Sequence, residues 1–120
     1  MANHEQLNYV EFAAKDLELT KAFFSAVFNW QFTDYGPEYT AFSKEHAGLD
    51  GGFYQAPLSA NALNGAPLLV FYSNDITATQ AKVQHHGGEI TKPVFDFPGG
   101  CRFHFSDPCG NEFAVWSEKV

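Results

Sequence analysis

The sequence predicts an α+β domain built from two copies of a βαβββ unit, and three observations support this prediction. When the chain is shifted against itself by 59 residues, segment 10–23 aligns with segment 69–82. Both segments contain an alternating apolar run, then an aspartate, then apolar residues at helical spacing. Three short strand-like runs follow each predicted helix. A chain of 120 residues matches one domain, since domains most often have about 100–150 residues.

An aspartate marks the start of each predicted helix. Asp16 and Asp75 stand where the alternating run ends. Each is therefore expected to cap its helix by accepting hydrogen bonds from the free amides of the first turn. The second helix is expected to end at Gly87 and Gly88, because glycine adopts the left-handed conformation that closes a helix.

The remaining segments define two modules and a linker. Strands are predicted at 30–33, 39–42 and 51–54 in the first unit, and at 89–91, 101–106 and 112–117 in the second. The first module spans residues 7–55 and the second 67–118 of a single 1–120 domain. Segment 56–66 is rich in Ala, Asn, Pro and Gly, which predicts an exposed linker between the modules.

Composition and charge restrict the classes of partner. The net charge is −7 and the isoelectric point is near 5.0, which argues against nucleic acid and favours a cationic ligand. No apolar run reaches the roughly 20 residues of a membrane span, and the start lacks a signal-peptide pattern. We therefore expect a cytoplasmic protein with no membrane partner. Cys101 and Cys109 flank one predicted strand, too far apart to form a disulfide, and are expected to be free thiols.

Three phrases of the sequence together resemble a known family. They are DLELTKAFFSAVFNW (16–30), NDITATQAKVQHHGGEI (74–90) and DPCGNEFAVW (107–116). In this order and spacing they are similar to the glyoxalase/bleomycin-resistance/dioxygenase family, the vicinal oxygen chelate superfamily, over residues 9–116. Asn29 stands where many relatives carry glycine, at a position that needs a positive φ, which asparagine also adopts.

The resemblance implies curved, partly open sheets with the helices outside, paired around a cavity either within one chain or across a homodimer. It does not imply one function. The family includes metal-dependent isomerases and lyases, iron dioxygenases and metal-free drug-binding proteins, so function must be argued from the residues of the site.

Metal-dependent members hold a divalent ion with His and Glu side chains from the first and last strands of each unit. The resemblance places these positions at Tyr9, Leu68 and Ala114, with the fourth near Gly52 or Phe53. Such an ion needs about three or four nitrogen or oxygen ligands. Because none of these side chains is an imidazole or a carboxylate, we expect no metal and no cofactor at the family's usual site.

The histidines outside the predicted strands do not rebuild such a site. His4 lies in the N-terminal tail and His46 in a predicted polar loop. His85 and His86 are neighbours on a helix, where successive side chains point about 100° apart. Chelation by these residues is therefore not expected.

Side-chain alternation predicts which residues line the cavity. If Phe103 and Phe105 pack under a helix, their neighbours Arg102 and His104 face the cavity, although an ordinary surface position also fits His104. The predicted ligand-binding residues are Tyr9, Glu11, Tyr72, Arg102, His104 and Trp116. Each aromatic member, taken singly, also fits a core position. Mostly apolar walls with a few polar groups are typical of a small-molecule pocket.

Glu11 is the candidate catalytic residue. A carboxylate in the middle of an apolar strand costs several kcal/mol if it is buried without a partner. Three arrangements satisfy it: an ion pair with Arg102 or Lys92, contact with a cationic ligand or a role as proton acceptor, or exposure to solvent.

These observations lead to three hypotheses of function. The first is a metal-free homodimer that binds, and so sequesters, a small cationic or aromatic molecule. The alternative is a lyase or isomerase acting on a small carbonyl compound, with Glu11 as acid or base beside Tyr9 or His104, or with a metal on non-standard ligands. The third is an interaction domain whose cavity is filled by its own side chains, which include 13 phenylalanines.

Overall fold

The computed structural model describes residues 2–118, and within them the chain forms eight strands and three α-helices. The strands are β1 (Tyr9–Ala14), β2 (Phe32–Asp34), β3 (Tyr39–Phe42), β4 (Asp50–Gln55), β5 (Leu69–Tyr72), β6 (Glu89–Phe97), β7 (Gly100–Ser106) and β8 (Glu112–Glu118). The helices are α1 (Leu17–Phe28), α2 (Lys44–Ala47) and α3 (Ile76–His85), with a short 3₁₀ helix at Ala62–Asn64.

The strands form two four-stranded sheets with equivalent topology. The first sheet has the order β1-β4-β3-β2 and the second the order β5-β8-β7-β6. In each sheet the first strand pairs in parallel with the last, and the other pairs are antiparallel. The predicted α+β fold of two βαβββ modules with unclosed sheets is confirmed. The prediction did not include α2, and it ended β6 six residues too early.

The predicted helix boundaries are also confirmed. Asp16 Oδ1 accepts hydrogen bonds from the amides of Glu18 and Leu19 at 3.0 and 3.1 Å, and Asp75 caps α3 in the same way. Asn29 ends α1 with φ 60°, and Gly87 follows α3 with φ 98°. Both helices therefore begin and end where the local chemistry of the chain requires.

Aromatic side chains from both modules form one core. Phe24 of α1 lies between the sheets, with ring centroids 5.5 Å from Phe53 of the first sheet and 5.5 Å from Phe113 of the second. Phe12 joins the sheets directly, 5.3 Å from Phe113. Burying one such side chain contributes roughly 1.5–3 kcal/mol. The two modules therefore share one core.

The turn between β7 and β8 closes the outer edge of β1. Asn111 Nδ2 donates to the carbonyl of Ala13 at 2.8 Å, and Asn111 Oδ1 accepts from the amide of Ala60 at 2.8 Å. Within the turn, Asp107 Oδ1 accepts from the amides of Cys109 and Asn111. Asn111 thus joins the first module, the linker and the second module. Cys109 in this turn, like Cys101, is a free thiol, as predicted.

Segment 56–66 runs beside β8. The amide of Glu112 donates to the carbonyl of Ala60 at 2.8 Å, and the amide of Ala62 donates to Glu112 Oε1 at 2.7 Å. These bonds hold the segment against the second sheet. Among residues 2–118, no helix is both long and apolar enough to cross a membrane.

Candidate functional site

Each sheet has one face on the aromatic core and an opposite face, which we call the open face. Alternation along β7 buries Phe103 and Phe105 completely and leaves Arg102 and His104 on the open face. The same alternation places Tyr9 and Glu11 on the open face of the first sheet. Large side chains remain uncovered there, and Tyr9 is 46% and Tyr72 53% exposed.

Three side chains form a hydrogen-bonded chain on the open face of the first sheet. The Tyr39 hydroxyl donates to Glu11 Oε2 at 2.9 Å. It lies 2.6 Å from the Tyr9 hydroxyl, and because its own proton is directed at Glu11, Tyr9 is the donor in that bond. The order is therefore Tyr9 to Tyr39 to Glu11, with Glu11 as the terminal acceptor.

Strand register explains how Tyr39 reaches β1. Tyr39 lies on β3, and β4 separates β3 from β1. The β4 residue between them is Gly52, which pairs with Glu11 on one side and Ala41 on the other. A β-carbon at position 52 would collide with the Tyr39 ring and hydroxyl. Glycine here therefore allows the phenol to cross β4 and meet the carboxylate.

The predicted ion pair of Glu11 with Arg102 or Lys92 is wrong. Glu11 lies in the first sheet and both cations lie in the second, and no ion pair of Glu11 is present within residues 2–118. Its partner is the neutral hydroxyl of Tyr39. Burial raises the pKa of Tyr39, and the bonds to Tyr9 and Glu11 raise it further, so Tyr39 stays a donor at neutral pH.

The open face of the second sheet carries an aromatic pair and an arginine–histidine pair. Tyr72 and Trp116 are in register, with ring centroids 5.0 Å apart in an edge-to-face arrangement. Arg102 Nε donates to His104 Nε2 at 3.2 Å. Burial, together with the nearby charge of Arg102, lowers the pKa of His104, so its ring is neutral at neutral pH and acts as the acceptor.

A small cavity of about 120 Å³ lies between this face and segment 56–66. Lys92, His104 and Glu112 supply its ionisable side chains. Glu112 is already hydrogen-bonded, since Oε1 accepts from the amide of Ala62 and Oε2 from Thr91 Oγ1 at 3.3 Å. Glu112 therefore anchors the segment.

The predicted site residues fall into two groups on separate sheets. Tyr9 and Glu11 come together in the first sheet, and Tyr72, Arg102, His104 and Trp116 in the second. No hydrogen bond, ion pair or ring contact joins the two groups within residues 2–118. Each open face therefore carries its own group of predicted site residues.

The residues at the family's metal positions do not fit a divalent ion. Tyr9 donates its proton to Tyr39, Leu68 and Ala114 have no donor atoms, and the space beside Gly52 is filled by the Tyr39 ring. In the described part of the chain, no three His, Cys, Asp or Glu side chains converge closely enough to hold a metal ion. Such ions need about three or four converging ligands, which this set does not supply.

The sequence prediction missed Tyr39. Its position depends on the register of β3 against β4, which local patterns do not specify. One signal was available, because Gly52 is a side-chain-free position in a predicted strand, and such positions often mark the close approach of another group.

Comparisons with known proteins agree with this fold. A family model described as Glyoxalase/Bleomycin resistance protein/Dioxygenase superfamily matches residues 6–115. A glyoxalase-related enzyme from Fulvimarina pelagi superposes with a TM-score of 0.78 at 16% identity, covering 95% of this chain and 88% of that one. The fosfomycin resistance protein FosX from Listeria monocytogenes superposes with a TM-score of 0.77 at 19% identity, covering 97% of this chain and 95% of that one.

A third similar structure is a lactoylglutathione lyase from Agrobacterium tumefaciens, with a TM-score of 0.69 at 19% identity and 94% and 93% of the two chains covered. No functionally curated protein matches the chain. At these identities the structural likeness establishes the fold alone.

Proposed function

We propose that this chain, which belongs to the Glyoxalase/Bleomycin resistance protein/Dioxygenase superfamily, binds a small cationic aromatic molecule. The molecule lies between two open faces and is bound without a metal ion. The observation that carries this proposal is the Tyr9–Tyr39–Glu11 chain at the place where metal-dependent relatives bind their ion. The Tyr39 hydroxyl donates to only one oxygen of this exposed carboxylate, so within residues 2–118 the other oxygen is open to a ligand.

The second open face supplies the aromatic part of the pocket. The rings of Tyr72 and Trp116 form an edge-to-face pair, and the ring centroid of Phe97 lies 6.3 Å from that of Trp116. A ligand cation over such rings gains about 0.5–2 kcal/mol. The net charge of −7 adds attraction for a cation at longer range.

The proposal includes a homodimer in the cytoplasm. Within residues 2–118 the two half-sites do not contact one another, and each exposes large apolar side chains, which are typical of an interaction surface. In a two-fold dimer, the first sheet of one copy faces the second sheet of its partner and completes two equivalent pockets. The two free thiols are the state that a reducing compartment maintains.

The experiment is a calorimetric titration with 2-phenylethylammonium, with 2-phenylethanol as the uncharged control of the same shape. The account predicts saturable binding of the ammonium and binding of the alcohol that is roughly tenfold to a hundredfold weaker, because the alcohol cannot pair with Glu11. Glu11→Gln should reduce ammonium binding to that of the alcohol. Equal affinity for the two probes, or an unchanged affinity in Glu11→Gln, would remove Glu11 from the site.

The same hydrogen-bond chain favours a second candidate function. Glu11, held by the Tyr39 hydroxyl, which is itself bound by Tyr9, is placed to accept a proton from the carbon next to a carbonyl group, the step that lyases and isomerases of small carbonyl compounds share. The test is proton-deuterium exchange of dihydroxyacetone in D₂O, followed by NMR. Exchange that depends on Glu11 would support catalysis, and exchange equal to the buffer rate would exclude it for this substrate.

A further inference from the structure

Another cavity in the described part of the chain lies beside the open face of the second sheet, and Tyr72 borders both. It is a cleft of about 540 Å³ along the outer edge of β5, bounded on the other side by residues 46–49. Its walls are mainly aromatic: Phe12, Phe28, Trp30, Phe42, Phe71 and Phe113. Pockets for small molecules usually measure about 300–1,000 Å³ and have mostly apolar walls.

The edge of β5 gives this apolar cleft a hydrogen-bond acceptor. The Ser73 amide donates to the carbonyl of Trp116 on β8. The Tyr72 carbonyl belongs to the same peptide group, so it points the opposite way, towards the cleft. Within residues 2–118, no turn amide or side chain donates to the Tyr72 carbonyl.

The repeat shows why this carbonyl is free. Tyr72 occupies the position in the second module that Ala13 occupies in the first. The Ala13 carbonyl is bound by Asn111, the residue directly before β8. The residue directly before β4, facing the β5 edge, is Leu49, which has no donor. Ala47 has only a methyl group and Gly48 has no side chain, so the adjoining space stays open.

From this geometry we infer a second binding site, for a neutral planar aromatic molecule with one N–H group. The rings of Phe28 and Phe71, 4.1 Å apart and parallel within 3°, offer a surface on which a flat ring system stacks. The N–H group donates to the Tyr72 carbonyl. The lining contains no Lys, Arg, Asp or Glu, and His46 is its ionisable side chain, so a charged ligand would lose hydration without meeting a carboxylate, ammonium or guanidinium group. The cleft uses the carbonyl of Tyr72, whereas the proposed pocket uses its ring, so the two sites adjoin at this residue.

The test uses indole and benzofuran, which have nearly the same shape but differ in the N–H donor, with the ¹⁵N-labelled protein observed by NMR. Indole should shift the amide signals of Gly48, Leu49 and residues 71–73 in a saturable manner, and benzofuran should bind at the same place roughly threefold to tenfold more weakly. Absence of saturable shifts at these amides, or equal affinities, would overturn the inference. Glu11→Gln should leave indole binding unchanged, which separates this site from the proposed one.

Two substitutions sharpen the test. Ala47→Leu fills part of the cleft and should weaken both probes more than tenfold, and binding equal to that of the unmodified chain would contradict the site. Leu49→Asn places a donor where the repeat has Asn111, and it should abolish the preference for indole over benzofuran. Retention of that preference would show that Tyr72 does not recognise the N–H group. The comparison of the two probes on the unmodified chain is decisive even if a variant fails to fold.

Discussion

The ring of Tyr39 occupies the space directly beside Gly52, one of the two positions, with Phe53, near which the family resemblance implies a metal ligand. The phenol of Tyr39, from the neighbouring strand β3, therefore fills the space that a side chain at position 52 would occupy. Tyr39 links β3 to Glu11 on β1 across this gap. The chemistry of the first open face consequently depends on a residue with no side chain.

Gly52→Ala tests this relationship. The added methyl group collides with the Tyr39 ring, so the ring must move and the bond from Tyr39 to Glu11 is lost. We expect a loss of about 1–3 kcal/mol in the free energy of unfolding, as for other overpacked sites, together with at least tenfold weaker binding of 2-phenylethylammonium. Denaturant unfolding and calorimetry measure the two quantities.

Tyr39→Phe and Tyr54→Phe form the matched control pair for that prediction. Tyr54 lies opposite Tyr39 on the same face but has no side-chain hydrogen bond within residues 2–118. Loss of the hydroxyl should therefore weaken ammonium binding for Tyr39 and leave it unchanged for Tyr54. Equal effects of the two substitutions would contradict a specific role for the Tyr39 hydroxyl.

Mixing two defective variants tests whether the pocket lies between two copies. Glu11→Gln damages the first open face and Trp116→Ala the second, so each homodimer should fail to bind 2-phenylethylammonium. If two copies share each pocket, mixed dimers contain one intact pocket, and an equimolar mixture recovers about a quarter of the normal capacity. A pocket within one chain would recover nothing, and sedimentation of the unmodified protein as a monomer would exclude the dimer.

Asp107 makes the stability depend on pH. Burial raises the pKa of its carboxyl to about 6 from an ordinary 3.8, and its Oδ2 atom has no hydrogen-bond partner among residues 2–118. Between roughly pH 4 and pH 6 the folded chain keeps a proton that the unfolded chain has lost. The free energy of unfolding should therefore fall as pH rises through this window, by up to about 3 kcal/mol.

Asp107→Asn removes this ionisation while keeping an oxygen acceptor for the amides of Cys109 and Asn111. The fall in stability between pH 4 and pH 6 should be much smaller in this variant, as measured by denaturant unfolding at each pH. Asp75→Asn, at an exposed helix cap, should leave the fall intact. If both variants show the same pH profile as the unmodified chain, Asp107 is not the group responsible.

The sequence was sufficient to predict those parts of the fold whose cause is local. Asp16 and Asp75 cap helices, and Asn29 adopts a positive φ, because each interaction involves residues close in the chain. The alternation that separates Phe103 and Phe105 from their neighbours is equally local. These features follow from propensity and periodicity alone.

The partners of the site residues depend on register between distant segments. Glu11 meets Tyr39 only because β4 lies between their strands with Gly52 in register. Strand β6 continues past Pro93 to Phe97 because irregularities in its pairing with β7 accommodate the proline. A one-residue slip in either sheet would move these side chains to the other face, so such contacts require the three-dimensional structure.

The most direct test of the central claim is the affinity for 2-phenylethylammonium of chelator-treated protein, compared with the same protein supplemented in turn with Zn²⁺, Mn²⁺, Ni²⁺ and Fe²⁺. The account predicts one dissociation constant in all five conditions, because Glu11 and the aromatic side chains make the site without an ion. Binding that appears only after one of these metals is added would contradict it.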